Sequence, residues 1–257
     1  MCDWAHPVSW HLDKMMELDF NYIRLPFSLD YIETNDFSKM DLFFDEAQDR
    51  NISVLLDFHR LEDTHQSSAP YNENYNFETF LNGWDKILER YENKSVLRSV
   101  DIFNEYQTSN FVEWNSLARQ ILSFIEDRYP ERFTYYVGGT SWGGNLHDMD
   151  LSDLPFFDRV VYTVHKYWFS DKPPRKDKWD YSIKKPVMVG EYGYKSGEQQ
   201  EVDFAYEFMW YMKENDIRDT FFWTWSYNSG DTGGILLDDC TSVDYKKISY
   251  LRELWDL

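Results

Sequence analysis

Short apolar runs, each closed by Pro, Gly or a polar cluster, recur along the chain. Between them lie longer stretches in which apolar residues return every three or four positions. The short runs read as buried strands and the longer stretches as amphipathic helices. Strands are predicted to start near residues 21, 52, 99, 133, 159, 186 and 219. The first carries Arg24 and is expected to end at Pro26; the last runs over 220–225. Helices are predicted over 11–18, 38–48 with Ser38 as N-cap, 77–91, 111–128 stopped by Pro130, 199–215 and 245–256. The polar segments 61–76, 172–178 and 226–234 read as loops, the first long enough to suggest a functional role. Regular alternation of strand and helix predicts an α/β domain over 1–257, with a parallel sheet wrapped by helices. Polar residues gather at strand C-termini, which favours a (β/α)8 TIM barrel. An open doubly wound sheet is the alternative, but no Gly-x-Gly-x-x-Gly follows the first strand.

Two strands share one design. Pro186-Val187-Met188-Val189-Gly190-Glu191-Tyr192-Gly193 runs from apolar residues into a carboxylate between glycines. Ser99-Val100-Asp101-Ile102-Phe103-Asn104-Glu105-Tyr106 does the same, with Asn before the Glu. A carboxylate at the end of a buried strand carries a desolvation cost unless it is paired or used. For either strand alone, a Glu turning into solvent is the simpler reading. The repetition instead points to a scaffold that brings Glu105 and Glu191 together.

Composition narrows the partners. The net charge of −20, from 46 acidic and 26 basic residues, argues against nucleic acid or an anionic membrane, since both attract a positive patch. No apolar run is long enough to span a bilayer, and no secretory h-region follows Met1. Most of the 11 Trp, 19 Tyr and 19 Phe are expected in the core, and the excess of Trp and Tyr also suits a cleft that stacks neutral sugars. Cys2 and Cys240 do not amount to a disulfide framework and leave the redox compartment open.

The strand ends carry Arg24, His59, Asn104-Glu105, His165-x-Tyr167, Glu191 and Trp225. Singly, a strand-end His is usually a hydrogen-bonded structural group and an Arg beside a carboxylate an ion pair. Together they make sense for glycoside cleavage, in which two carboxylates flank the scissile bond. One protonates the leaving oxygen; the other attacks the anomeric carbon or activates water. Arg24 would keep a nucleophilic Glu ionised, Asn104 would bond the sugar 2-hydroxyl, Tyr167 would orient the nucleophile, and Trp225 would floor the sugar ring.

These residues resemble glycoside hydrolase family 5. Ile23-Arg24-Leu25-Pro26-Phe27-Ser28, Leu56-Asp57-Phe58-His59-Arg60, Asn104-Glu105, His165-x-Tyr167 and Gly190-Glu191-Tyr192-Gly193 look like its strand motifs. Trp142-Gly143-Gly144-Asn145 and the segment from Trp223 to Leu236 look like its endo-β-1,4-glucanase branch. The resemblance covers about residues 4–257. It implies Glu105 as acid/base, Glu191 as nucleophile, a retaining outcome, and no metal or cofactor. Trp142, Trp223 and Trp225 would supply aromatic platforms, with Trp225 favoured for the principal one. It further implies secretion and action on a β-linked polysaccharide or oligosaccharide; the chain is expected to be a monomer. Two departures stand out. The family's first barrel strand is missing or truncated here, since Met1-Cys2-Asp3-Trp4 is too short to replace it. Cys240 stands where that branch tends to carry Trp, with little consequence expected. Alternatives are the same mechanism on β-mannan, β-1,3-glucan or a glycolipid glycan, and a carbohydrate-binding pseudoenzyme with an incomplete barrel. A metal-dependent barrel hydrolase is disfavoured because His59 and His165 are not part of a His-x-His pair.

Overall fold

The structure is a computed structural model describing residues 5–184 and 186–257. Its seven strands are β1 (Tyr22–Ser28), β2 (Ser53–Arg60), β3 (Leu97–Asp101), β4 (Thr134–Gly138), β5 (Val160–Lys166), β6 (Val187–Tyr192) and β7 (Thr220–Phe222). They pair in parallel in chain order, so each crossover returns the chain beside the strand it left. Helices α1 (Val8–Glu17), α2 (Leu29–Glu33), α3 (Ser38–Asp49), α4 (Phe77–Tyr91), α5 (Phe111–Arg128), α6 (Lys176–Ser182), α7 (Gln199–Glu214) and α8 (Tyr245–Trp255) complete the alternation. The result is a nearly closed TIM-type barrel. β1 and β7 end the hydrogen-bonded order, yet the rings of Tyr22 and Phe221 meet across the seam at 5.4 Å. A void of about 120 Å³ remains there, between Phe20, Ile23, Phe221 and Trp225. One strand fewer than a closed eight-stranded barrel is what the sequence led us to expect; Met1–Trp4 lie outside the described residues.

Two apolar layers hold the scaffold. Inside, Leu55, Tyr136 and Met188 pack with Tyr22, Val161 and Phe221 and plug the barrel beneath the strand C-termini. Outside, the opposite faces of the strands pack on the helices, and much of the aromatic excess resides here. Trp84 of α4 and Trp114 of α5 are fully buried, and their indole N–H groups donate to the carbonyls of Ile102 (3.2 Å) and Gly138 (2.7 Å). Each indole therefore packs a helix on the barrel while satisfying a carbonyl at or just past a strand end. A buried ring such as Phe58 contributes roughly 1.5–3 kcal/mol by leaving water.

The local differences from expectation have local causes. β1 continues through Pro26 to Ser28 because β1 pairs on one side only, and an edge strand tolerates a missing N–H. Ser38 is the first residue of α3 and Phe37 its cap; the Ser38 N–H is instead accepted by Asp36 Oδ1. α2, too short to show a period, is capped by Ser28 Oγ accepting from the Tyr31 N–H. The last three residues of the basic loop, 176–178, open α6. β7 stops at Phe222, three residues before the expected end. Cys240 is disulfide-bonded.

Candidate active site

Along a strand, alternate residues share a face. Leu55, Asp57 and His59 follow this rule up β2, so apolar packing at the barrel floor gives way to charge near the rim. β6 breaks the rule. Its register against β5 shifts between the Val164–Val189 and His165–Glu191 pairs. Met188 packs inside, the Gly190 backbone lies against the His165 ring, and Glu191 also turns inward. A bulge of this kind re-aims one side chain. Glycine suits 190, where a Cβ would sit 3.0 Å from His165 Nε2 and press on the ring that holds Glu105.

Arg24, rising from β1, is the hub. Its Nη1 donates to Glu191 Oε1 (2.6 Å), its Nε and Nη2 donate to Asp101 Oδ2 (3.1 and 2.9 Å), and Nη2 donates to Asn104 Oδ1 (2.7 Å). Asp57 Oδ1 lies 3.0 Å from Nη2. One guanidinium thus faces three buried carboxylates. Burial alone would raise the Glu191 pKa, but His165, Arg24 and His59, with the hydrogen bond from Tyr167, bring it down to about 2. Asp101 moves the other way, to about 6, because burial and the neighbouring Asp57 outweigh Arg24. His165 is raised: its burial is offset by Glu191 and Glu105.

Glu191 Oε2 accepts from the Tyr167 hydroxyl (2.8 Å) and lies 3.6 Å from His165 Nδ1. The same Nδ1 is hydrogen-bonded to Glu105 Oε1 at 2.8 Å, and Gln66 Nε2 donates to Glu105 Oε2 (2.9 Å). A carboxylate oxygen of Glu105 and one of Glu191 are within 4.8 Å of each other. Both acids open onto a cleft of about 1000 Å³ at the strand C-termini, shared with His59, Asn104, Trp142 and Trp223. With Asn104 Oδ1 occupied by Arg24, its Nδ2 is the end that can donate into the cleft.

The structure brings together Arg24, His59, Asn104, Glu105, His165, Tyr167 and Glu191, with Trp142 and Trp223 on the cleft walls. Trp225 is the exception and corrects the expectation of a sugar-stacking floor there. Its indole N–H donates to His11 Nδ1 (3.0 Å), and its ring packs edge-on against Phe20. Strand alternation does not extend past Phe222, so Trp223 and Trp225 do not share a face. Trp223 is the one in the cleft, stacked on His59 at 5.2 Å and 6° between planes. Three contributors were overlooked in the sequence. Asp57 and Asp101 were visible as carboxylates inside apolar strands, at inward parity with His59 and Ser99. Gln66 sits in the long loop flagged as functional, but nothing local distinguishes it from its polar neighbours.

Two triads, Asp57–His59–Glu191 and Glu105–His165–Glu191, have oxygen and nitrogen atoms close enough to hold a cation. The positive charge at the first is already supplied by Arg24, bonded to Glu191 and 3.0 Å from Asp57. His59 Nδ1 is taken up by Asp57 Oδ2 at 2.6 Å.

Arg24→Met tests this electrostatic arrangement. Loss of the guanidinium leaves burial dominant at Glu191, so its pKa rises, and the acid limb of kcat/KM moves to higher pH. The stability that Glu191 contributes is present above its unfolded value near 4.5 and lost as pH falls towards about 2. In the variant the folded value climbs towards or past the unfolded one, so this contribution shrinks or reverses and less stability is lost on acidification. A pH–activity profile and acid melts check both shifts; unchanged limbs would refute the assignment.

Comparison with known proteins agrees with this geometry. Residues 4–229 match the family described as Cellulase (glycosyl hydrolase family 5). An endoglucanase of Paenibacillus polymyxa is 28% identical over 98% of this chain and 77% of its own length. The major extracellular endoglucanase of Xanthomonas campestris is 27% identical over 98% of this chain; the chain spans 63% of that protein. A solved structure of the catalytic domain of the major endoglucanase from Xanthomonas campestris superposes with a TM-score of 0.86 at 25% identity, covering 99% of this chain and 89% of the other. A cellotetraose complex of a variant Pyrococcus horikoshii endocellulase gives 0.87 at 26% identity, covering 98% and 87%. Motifs, barrel and matched residues converge: the chain belongs to the cellulase family, glycosyl hydrolase family 5.

Proposed function

We propose that this chain is a retaining endo-β-1,4-glucanase in which Glu191 is the nucleophile and Glu105 the acid/base. The observation that carries the reading is the pair of carboxylates with oxygens within 4.8 Å, bridged by His165. Retaining glycosidases hold their two carboxyls about 5–5.5 Å apart, whereas inverting ones leave roughly 6.5–9.5 Å for a water. The two acids also differ in surroundings. Glu191 is buried among cationic and hydroxyl donors that keep it ionised for attack on an anomeric carbon. Glu105 is the more exposed side chain, 14% against 6%, and faces the open cleft where a leaving oxygen would sit.

The steps follow from these positions. Glu191 attacks the anomeric carbon and a glycosyl ester forms. Glu105 delivers its proton to the departing oxygen, then takes one from the water that hydrolyses the ester. Tyr167 holds Glu191 Oε2 while Oε1 rests on Arg24, so the nucleophile arrives with its orientation set. Asn104 Nδ2 is placed to donate to the sugar 2-hydroxyl.

Cellopentaose followed by proton NMR tests the reading: the β-anomer is expected first. An initial α-anomer would overturn retention, and binding without turnover would favour a sugar-binding protein. A panel of carboxymethylcellulose, β-mannan and β-1,3-glucan separates the substrate classes, with cellulose-type substrate expected to be cleaved fastest. Chelator treatment is expected to leave kcat within about twofold, because the required positive charge comes from Arg24; a large loss would indicate metal catalysis.

A further inference from the structure

Lys166 is buried in the middle of the site and the chemistry above does not use it. It lies on β5 between His165 and Tyr167, and strand alternation turns it away from Glu191. Its side chain is 3% exposed. The ammonium donates to the Gly144 carbonyl (2.8 Å) and to Ser182 Oγ (2.9 Å), with Asp171 Oδ1 at 3.9 Å. Burying an ammonium is costly, and burial lowers its pKa despite Asp171. A lysine kept at that cost has work to do.

Its three partners belong to three separate segments. Gly144 is in the loop carrying Trp142; Ser182 ends α6, next to Tyr181; Asp171 is in the loop from β5, beyond Phe169. Trp142, Phe169 and Tyr181 are the large aromatics on this wall, 54%, 47% and 58% exposed. Tyr181 stacks on His147 at 4.0 Å, which keeps its ring upright. The Trp142 loop is a strained one: Ser141, Trp142 and Gly143 all have φ between 56° and 69°. Two consecutive non-glycine residues in the left-handed region need outside support. Backbone bonds from Ser141 N–H to Thr108 O and from Trp142 N–H to Tyr106 O hold one side; on the other, the His165 N–H donates to the Gly143 carbonyl (3.1 Å) and Lys166 to that of Gly144.

The wall has a defined side. Trp142 is fastened to Tyr106, the residue after Glu105, whereas Glu191 faces His59, on which Trp223 stacks. On the proposed mechanism the leaving sugars therefore lie against the Lys166-braced wall. We propose that Lys166 is a positioning residue that sets the spacing of Trp142 and Tyr181, and with it recognition of the glucan units on the leaving-group side. The inference rests on the endoglucanase reading.

The test compares Lys166→Met with the parent protein on cellopentaose and on p-nitrophenyl β-cellobioside, whose leaving group is a single ring. Methionine keeps the length and loses every donor. The ratio of kcat/KM for cellopentaose to that for the aryl cellobioside is expected to fall roughly tenfold, mostly through KM. That is less than the ~10²-fold that a 1 Å misplacement can cause. Cleavage of reducing-end-labelled cellopentaose should redistribute among its bonds at the same time. Ser182→Ala removes one anchor, leaves the charge paired, and should move the ratio the same way by roughly threefold; it decides the matter if Lys166→Met fails to fold. An unchanged ratio and cleavage pattern in a folded variant would overturn the role of Lys166 while leaving the enzyme reading intact. A parent protein that cleaves neither substrate would overturn the enzyme reading and this inference together.

Discussion

Glu191→Gly is expected to abolish turnover of soluble β-1,4-glucan, with a loss on the order of 10⁵-fold, as when a covalent nucleophile is removed elsewhere. The substitution empties a space bounded by Arg24 and the Tyr167 hydroxyl, both of which bonded the missing carboxylate. A small anion can enter that space. Azide supplied with an aryl β-cellobioside should restore turnover and yield the α-glycosyl azide, because it attacks from the face Glu191 occupied. The stereochemistry makes the result specific: a general loss of folding would not be rescued, and a role for Glu191 other than nucleophile would not give an inverted azide. Activity retained in this variant, or a β-azide product, would remove the assignment.

Glu105→Ala should separate the two half-reactions. With a poor leaving group such as a glucose unit, the loss expected of a missing acid catalyst is roughly 10²–10⁴-fold. With dinitrophenolate as leaving group, no proton is needed to expel it, so the first step should remain fast. The glycosyl ester then accumulates for want of a base, and a burst of dinitrophenolate should precede a slow steady state. Azide, which needs no deprotonation, should accelerate that steady state and give the β-glycosyl azide, the opposite anomer from the Glu191 variant. The pair of azide products distinguishes the two carboxylates more sharply than either rate. Equal losses with both leaving groups would mean that Glu105 positions substrate or His165 rather than transferring a proton.

The difference in depth between the two acids explains why both experiments are practicable. Glu191 sits with Arg24, Asp57 and Asp101 in a network nearly sealed from solvent. Removing the Glu191 charge leaves Arg24 still paired with two carboxylates, so the guanidinium is not stranded. Glu105 is held by His165 and Gln66 at the cleft wall, where its loss opens space to water rather than a dry cavity.

Much of the fold was legible because buried parallel strands are written as near-continuous apolar runs. All seven predicted starts fall within two residues of the observed ones. Less was legible where a local signal depends on its surroundings. Pro26 reads as a strand terminator unless β1 is known to pair on one side only. Leu29–Glu33 is one turn of helix, shorter than any period can reveal. The site residues at strand ends were visible because a charge at the end of an apolar run needs a partner. Asp57 and Asp101 carried the same signal, and recognising their role required knowing that Arg24 lies between them.

The sequence by itself determined that strands and helices alternate, that two carboxylates end two buried strands, and that a guanidinium and two imidazoles stand at comparable positions. Those are properties of neighbouring residues, set by polarity, spacing and backbone preference. Tertiary structure decided the rest. The bulge that turns Glu191 inward beside an inward-packed Gly190 is a register shift against β5, and no property of β6 alone specifies it. Trp223 rather than Trp225 enters the cleft because β7 ends at Phe222, a limit set by its pairing with β6. Gln66 reaches Glu105 because a 16-residue loop folds back over the barrel mouth. Each depends on which backbone groups from distant segments find hydrogen-bond partners, and that is settled only when the chain closes on itself.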